Sequence, residues 1–188
     1  MRVIAGKYRR RPLHSLRGMD LRPTADRLRE TLFDILTAGN PSALEGSVWL
    51  DLYAGTGAVG IEASSRGASM VYFVESDKSA VDLIRKNLRT LGIESGFQVL
   101  HQEVASALSR LQTQAIAANI IFLDPPYRME NTYRQTLEFL SQSHLAQANA
   151  LIITEHQKKF DPGEKFHALN RYRKLEQGDA ALSFYRFS

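Results

Sequence analysis

A glycine-rich turn lies between an apolar and an amphipathic segment of this 188-residue chain. Gly55, Gly57 and Gly60 match the pattern G-x-G-x-x-G, and Glu75 follows Gly55 by twenty residues. Glycines let a backbone approach a ligand closely, and an acid at the end of the next strand accepts hydrogen bonds from ribose hydroxyls. The spacing therefore predicts a nucleotide-binding turn between a strand and a helix.

The charge around this turn favours a cationic ligand over a dinucleotide. Asp51 lies four residues before Gly55, and Asp77 and Glu103 are expected at neighbouring strand ends. A pyrophosphate prefers the positive N-terminus of a helix without a carboxylate beside it. S-adenosylmethionine has a sulfonium and an ammonium group, which these acids would attract. A nicotinamide or flavin site, and a tight turn that holds no ligand, are the alternatives.

A second motif follows the apolar segment 120–123. Two consecutive prolines lack N–H groups, so their carbonyls are rigid acceptors. Hydrogen bonds from an exocyclic amine to the Asp124 carboxylate and the Pro125 carbonyl would favour positive charge developing on nitrogen during methylation. Tyr127 offers a flat face for an unpaired base, whereas a proline turn that only caps a strand is the alternative. The candidate catalytic residues are Asp124, Pro125, Pro126 and Tyr127.

These motifs need a scaffold in which strand ends converge. Apolar and amphipathic segments alternate after residue 47, which predicts an α/β fold with a parallel sheet covered on both faces. Ligands of such sheets bind beyond the carboxyl ends of the strands, so residues 124–127 would lie beside the glycine turn. The C-terminal part predicts an antiparallel hairpin that turns at residues 177–179. We predict strands at 48–52, 70–75, 97–100, 120–124, 150–154, 166–174 and 181–187, with helices near 58–66, 81–91, 104–111 and 132–140.

Positive charge is concentrated at the start of the chain. Residues 1–30 hold nine Lys or Arg against three acids, whereas the remainder holds 15 basic and 17 acidic residues. This asymmetry is typical of a protein end that meets a polyanion, with a solvated tail as the alternative. β-like pieces around Gly6 predict a basic hairpin or arm, and apolar spacing from Thr24 predicts a helix. We therefore expect an N-terminal arm and helix, residues 1–40, and a main domain, residues 41–188.

Composition excludes several other kinds of site. Without cysteine, the chain has no disulfide or thiolate nucleophile, which favours a reducing compartment. No apolar run reaches the roughly 18 residues of a membrane span, and nothing at the N-terminus is typical of a secretory signal, so we expect a cytoplasmic protein. The five histidines are scattered without ligand spacing, so we assign no metal site.

Both motifs resemble those of known enzymes. Residues 51–57 resemble the first motif, D-x-x-x-G-x-G, of class I S-adenosylmethionine-dependent methyltransferases. The D-P-P-Y motif resembles that of amino-methyltransferases acting on adenine N6, guanine N2 and glutamine amides. Glu103 stands where related proteins often have Asp or Asn. The resemblance implies S-adenosylmethionine as cofactor, held by Asp51, Tyr53, Ala54, Gly55, Gly57, Glu75, Ser76, Glu103 and Val104.

Nearly the whole chain resembles the bacterial 16S ribosomal RNA guanine-N2 methyltransferase family that modifies guanine 966. This resemblance depends on residues 6–11, 21–30 and 178–186 together with the two motifs. It implies a Rossmann-like fold with a seven-stranded mixed sheet, and an arm that engages 16S ribosomal RNA in small-subunit assembly intermediates. Arg22, Thr24 and Arg29 would lie near the cofactor carboxylate or the target nucleotide. The expected RNA-binding residues are Lys7, Tyr8, Arg9, Arg10, Arg11, Arg22 and Thr24.

Two other functions stay open from the sequence. An adenine-N6 methyltransferase shares the D-P-P-Y motif but commonly adds a target-recognition domain, for which 188 residues leave no room. A nonenzymatic ribosome-assembly protein could keep the fold as a scaffold, although it would not require Asp51, Glu75 and Asp124 to be intact. We expect a monomer, and we leave Glu155 as a structural candidate and ion-pair partner for the arm.

Overall fold

A computed structural model describes residues 1–15 and 23–188 of the chain. The described residues form five helices and one eight-stranded sheet with the strand order β3-β2-β1-β4-β5-β8-β7-β6. Strands β1 to β5 are parallel, and β8 lies antiparallel between β5 and β7. The elements are α1 Pro23–Thr37, β1 Val48–Leu52, α2 Ala58–Ser65, β2 Met70–Glu75, α3 Lys78–Leu91, β3 Phe97–His101, α4 Val104–Thr113, β4 Ala118–Leu123, α5 Glu130–Gln142, β5 Ala146–Gln157, β6 Lys165–Phe166, β7 Leu169–Gln177 and β8 Ala180–Phe187.

The predicted alternation of strands and helices is confirmed, and the strand count is corrected. The additional strand is β6, a two-residue piece that pairs with β7 at the outer edge of the sheet. β5 is also longer than predicted, because it extends in both directions beyond its apolar centre to pair with β4 and β8. A two-residue strand has too little periodicity to be recognised in sequence.

The two ends of the N-terminal segment pair only briefly. The Val3 N–H donates to the Arg11 carbonyl and the Leu13 N–H donates to the Met1 carbonyl, so the segment is a bridged loop without a regular strand, and the expected basic hairpin or arm stays a prediction. Arg2 and Pro12 form one isolated antiparallel bridge, and turns occupy the residues between them. The backbone N–H groups of Ile4 and Ala5 instead donate to the Glu62 carboxylate of α2. Because α2 takes these donors, no partner strand is needed to satisfy them.

The core has two parts, one on each face of the sheet. Alternate residues of β1 supply both, since Trp49 faces α1 and α2 while Leu50 faces α4 and α5. The Phe33 ring of α1 stacks on Trp49 with ring centres 5.5 Å apart. Val3 of the N-terminal segment belongs to the same cluster. The division of the chain at residue 40 stays a prediction.

Candidate active site

The glycine turn is a tight connection between β1 and α2. The Gly57 N–H donates to the Ala54 carbonyl at 2.7 Å, and Gly57 itself has φ 76° at the start of α2. A Cβ atom there would lie 3.2 Å from Ile84, so both the backbone conformation and the close packing favour glycine. Tyr53 also has positive φ, 65°.

Two carboxylates hold this turn from within. The Asp51 Oδ2 atom accepts the Gly60 N–H at 2.8 Å, and Glu75 Oε2 accepts the Gly55 N–H at 2.8 Å. The second Glu75 oxygen accepts the Asp77 N–H at 2.9 Å. A carboxylate has about four lone-pair sites, so Glu75 keeps acceptor capacity for a ligand. Sequence reasoning assigned Glu75 to ribose hydroxyls and did not foresee its role within the turn.

Burial of these acids gives the site unusual titration properties. Asp51 is only 2% exposed, and burial raises the pKa of its carboxyl to about 8. The Gly60 hydrogen bond opposes this rise, and the nearby Asp124 and Glu75 carboxylates add to it. Burial likewise raises the pKa of the Asp124 carboxyl to about 7. Crowded carboxylates of this kind are stabilised in their charged form by a bound cation.

The proline motif directly follows β4, which is the neighbour of β1. The Asp124 N–H points to the Leu52 carbonyl at 3.4 Å, so Asp124 lies beside the start of the glycine turn. Pro125 is buried, Pro126 is exposed, and Asp124 and Tyr127 are half-buried. The Pro126 carbonyl accepts the Met129 N–H at 2.8 Å and so closes a turn before α5. The two motifs that are 69 residues apart in sequence (55 and 124) therefore meet at one edge of the sheet.

Tyr133 of α5 supports the proline motif, and sequence reasoning missed it. Its hydroxyl lies 3.2 Å from the Pro125 carbonyl oxygen and 2.9 Å from the Glu155 carbonyl oxygen. The side chain is 1% exposed, and burial together with the nearby Asp124 raises the pKa of the hydroxyl. A carbonyl has two lone pairs, so Pro125 can still accept a hydrogen bond from a substrate. Tyr133 occupies an apolar-face position of α5 with Leu137, which hides its polar role in sequence.

Glu155 of β5 and Arg29 of α1 extend the charged network. Burial and the nearby Asp124 raise the pKa of the Glu155 carboxyl well above its ordinary value, and the charge of Arg29 opposes this rise. Arg29 is 6% exposed, donates to the Arg2 carbonyl at 2.8 Å and pairs with Asp26 at 3.2 Å. Burial lowers the pKa of Arg29. The first helix thus brings a buried cation toward the acids of the site.

The N-terminal segment is firmly bound to α2. The fully buried Glu62 carboxylate accepts the N–H groups of Ile4 and Ala5 at 2.7 and 2.9 Å, and it pairs with Arg66 at 2.8 Å. A Cβ atom on Gly6 would lie 1.9 Å from the Ser65 carbonyl oxygen, so only glycine fits this contact. The basic segment is therefore docked on α2 by buried contacts.

The expected RNA-binding residues of this segment face solvent. Lys7, Arg9, Arg10 and Arg11 are exposed, and Tyr8 is half-buried. The Lys7 ammonium lies 5.3 Å from the centre of the Tyr8 ring, and Arg11 donates to the Thr90 carbonyl at 3.2 Å. Arg22 lies outside the described residues, and Thr24 belongs to the first turn of α1.

The remaining expected cofactor residues follow β2 and β3. Ser76 is exposed, and its carbonyl lies 3.0 Å from His101 Nε2. Glu103 is exposed at the N-cap of α4 and makes no side-chain capping bond, whereas Val104 is buried. These residues join the glycine turn at the same edge of the sheet.

Asn87 of α3 links the N-terminal segment to the glycine turn. Its Oδ1 atom accepts the His14 N–H at 2.8 Å, and its Nδ2 group donates to the carbonyls of His14 and Thr56 at 3.2 and 3.0 Å. The side chain is 1% exposed. An asparagine between the apolar residues Ile84 and Leu88 of one helix was the signal that could have revealed it.

Among the described residues, neither the two cavities below nor the metal-ligating side chains indicate a second active site. Cavities of about 350 and 400 Å³ open at the opposite edge of the sheet, near Ser47 and Asn119 and near Ser143 and Gln147. Within residues 1–15 and 23–188, no three His, Asp or Glu side chains are grouped as metal ligands. None of the described helices has the length and apolar character needed to cross a membrane.

Comparisons with known proteins agree with this architecture. The "Ribosomal RNA small subunit methyltransferase D" of Haemophilus influenzae is 38% identical over 159 residues, which are 84% of this chain and 79% of that protein. A solved Escherichia coli structure superposes with a TM-score of 0.85 at 28% identity, covering 100% of this chain and 98% of the other.

A more distant solved structure, complexed with SAH, has a TM-score of 0.69 at 14% identity and covers 88% of this chain and 50% of its own, which shows a common fold. The family described as "Conserved hypothetical protein 95" matches residues 1–186 of this chain. This match extends over the N-terminal segment, both motifs and the C-terminal hairpin, so the chain belongs to that family, as a homologue of ribosomal RNA small subunit methyltransferase D.

Proposed function

We propose that this protein transfers a methyl group from S-adenosylmethionine to the exocyclic N2 amine of guanine 966 in 16S ribosomal RNA. The observation that carries the proposal is the juxtaposition of the Asp124 motif with the acid-lined glycine turn on adjacent strands. The substrate class is supported by the relative named ribosomal RNA small subunit methyltransferase D. We further propose that the enzyme acts in the cytoplasm, as a monomer, on small-subunit assembly intermediates.

The donor set of the turn fits S-adenosylmethionine. Asp51, Glu75 and Asp124 lie close together, and a bound sulfonium or ammonium group would favour their charged forms. Glu75 keeps free lone pairs for ribose hydroxyls, since one of its oxygens accepts only the Gly55 N–H and the other only the Asp77 N–H. Ser76, Glu103 and Val104 would surround the adenine. When bound, the cofactor supplies a methyl group on a positively charged sulfur.

The proline motif would bind and orient the target amine. The Asp124 carboxylate and the Pro125 carbonyl accept its two N–H groups, which favours a localised lone pair on nitrogen. The bound cofactor would supply the methyl group, its bond to sulfur breaking as the bond to nitrogen forms, and Asp124 or water would take the proton that the nitrogen loses. Tyr127 stacks on the base. Productive transfer requires the nitrogen to lie roughly 3–3.5 Å from the methyl carbon.

The exposed cations of the N-terminal segment would contact the RNA backbone. Lys7, Arg9 and Arg10 project from a segment that Glu62 and Ser65 hold in place. Because this segment is ordered on α2, phosphate contacts made there position the RNA relative to the glycine turn at little further entropic cost.

The proposal is tested by methyl transfer from labelled S-adenosylmethionine to 16S RNA, offered naked and as partly assembled subunits, followed by nucleoside digestion. N2-methylguanosine at one site is expected. Asp124→Ala should lower turnover by about 10²-fold or more and keep cofactor binding, since it removes one preorganised hydrogen-bond partner. N6-methyladenosine would overturn the target assignment. Cofactor and RNA binding without any methyl transfer would leave the assembly-protein alternative.

A further inference from the structure

The C-terminal hairpin displays an aromatic ring between arginines, far from the two motifs in sequence. Tyr172 of β7 is 48% exposed, and among residues 1–15 and 23–188 only Met129 is a comparably exposed large apolar side chain. The Arg186 guanidinium lies 4.5 Å from the centre of the Tyr172 ring. The Arg173 guanidinium lies 5.8 Å from the ring of the buried Phe184. The exposed ring therefore lies against one arginine, and a second arginine lies over the buried ring that it contacts.

The local backbone explains why this ring faces solvent. The pairing of β7 with β8 shifts register between Arg171 and Arg173, so Tyr172 occupies a bulge. Bulges re-aim side chains at sheet edges. The Tyr172 ring still contacts Phe184, with ring centres 6.3 Å apart, which anchors one side of it to the core. The Arg186 guanidinium lies over this ring at 4.5 Å, and its movement toward a phosphate would open that face to a planar ligand.

Arg173 and Arg186 differ from the basic residues beside them in strand β7, whose charges are neutralised by ion pairs. Arg171 pairs with Asp161 and Glu164, and Lys174 pairs with Glu176. Arg173 and Arg186 are exposed, and the described part of the chain supplies neither with an ion pair. The surface therefore has two uncompensated cations beside an exposed ring, the combination with which proteins bind single-stranded nucleic acid.

This surface lies on the same face of the sheet as the N-terminal segment. Phe184 packs in the cluster that contains Val3, and Arg186 points to the same side as Phe184 because strand residues alternate. α1 packs on that face as well, through the stacking of Phe33 on Trp49. One RNA molecule could therefore contact both cationic surfaces along a single side of the protein.

We propose that Tyr172, Arg173 and Arg186 form a second RNA-contacting surface. It stacks an unpaired base on Tyr172 and binds the flanking phosphates with the two guanidinium groups. The identity of the polyanion rests on the proposed function. Stacking on an aromatic ring tolerates any base, so this surface adds affinity and orientation without reading sequence.

The test measures binding of a 16S RNA fragment and of a mixed-sequence single-stranded RNA, alongside methyl transfer. Tyr172→Ala should weaken RNA binding by about tenfold to a hundredfold, on the scale of one lost stacked base, while Tyr172→Phe should bind as wild type. The double variant R173Q/R186Q should reduce the slope of log affinity against log salt by about 1.4, since each phosphate contact on a single strand contributes about 0.7. The KM for RNA should rise, with kcat and cofactor affinity unchanged.

The matched control is R110Q/R134Q, which removes two exposed arginines from α4 and α5 on the opposite face. It should bind RNA like the wild type. If Tyr172→Ala and R173Q/R186Q bind RNA as tightly as this control while methyl transfer is intact, the second surface is refuted and the proposed function stands. If the variants lose RNA binding but the wild type never methylates RNA, the surface stands and the proposed function fails.

Discussion

Replacing Asp124 by Asn isolates the titration of one carboxyl in the active site. Asn has nearly the same shape and keeps a carbonyl acceptor for the target amine, but it has no charge at any pH. Burial raises the pKa of Asp124 to about 7, so the wild-type side chain loses its charge within the range in which the enzyme can be assayed. A protonated Asp124 no longer stabilises positive charge on the methylated nitrogen.

The size of the effect follows from this pKa. About nine tenths of Asp124 is ionised at pH 8 and about one tenth at pH 6, so the wild-type kcat/KM should fall about tenfold over this range. Asp124→Asn should be slower by about 10²-fold at pH 8, on the scale of one lost charged partner, without that dependence. The ratio of wild-type to variant rates should therefore shrink about tenfold from pH 8 to pH 6. The Asp124 charge contributes to the raised pKa values of Asp51 and Glu155, so in the variant both groups titrate at lower pH than in the wild type.

The assay is the initial rate of label transfer to RNA at subsaturating RNA and cofactor, because kcat/KM then reports the ionisation of the free enzyme. Measurements between pH 6 and pH 8.5 for both proteins give the ratio directly. A ratio that stays constant over this range would refute the argument that the Asp124 carboxylate is the active form.

Three further perturbations address separate parts of the structure. Asp51→Asn should stabilise the ligand-free protein at pH 8 and abolish cofactor binding. The folded-state pKa of about 8 exceeds the unfolded value of 3.8, so the wild type loses stability as pH rises from about 4 to 8. Thermal unfolding of both proteins at pH 6 and pH 8 measures this gain, and its absence would contradict the argument. Gly6→Ala should weaken RNA binding at least tenfold and lower the unfolding free energy by about 2 kcal/mol or more, since a Cβ atom there would lie 1.9 Å from the Ser65 carbonyl oxygen. Gly39→Ala is the control for backbone strain, because Gly39 has the same φ of 77° but open space around it. Equal losses in both variants would contradict the argument that Gly6 docks the segment on α2. Tyr133→Phe should lower kcat several-fold with cofactor KM unchanged, as expected for a hydroxyl that orients the Pro125 carbonyl, and an unchanged kcat in steady-state assays would remove that role.

The sheet and the meeting of the two motifs were predictable because they depend on local patterns and general topology. Apolar strands such as β1 and β4 are bounded by turn residues, and parallel strands in this order present their carboxyl ends at one edge. Asp124 therefore comes beside Leu52 without any information beyond the alternation of elements. The glycine spacing also predicted a turn at Gly57, where the positive φ excludes most other residues.

The docking of the N-terminal segment on α2 was not predicted, because the acceptor of two of its backbone N–H groups is distant in sequence. Ile4 and Ala5 have the residue types of a strand, but Glu62 captures their N–H groups across about 57 residues. Sequence periodicity reports which side chains are buried and does not report which acceptor takes a backbone donor. The roles of Asn87 and Tyr133 were hidden for the related reason that a satisfied polar side chain in a core position follows the same helical spacing as an apolar one.

The short helix α2 joins the two binding surfaces of the proposed enzyme. Its Gly60 N–H binds Asp51 below the cofactor turn, and Glu62, two residues later, holds the basic N-terminal segment. Asn87 fastens the same segment to the Thr56 carbonyl within the turn. Because the Glu62 and Asn87 side chains are buried and satisfied, the cations proposed to contact RNA would keep a fixed position relative to the glycine turn. If the proposed function holds, this fixed position would orient the RNA relative to the methyl donor, and the N-terminal segment would contribute to catalysis through alignment as well as affinity.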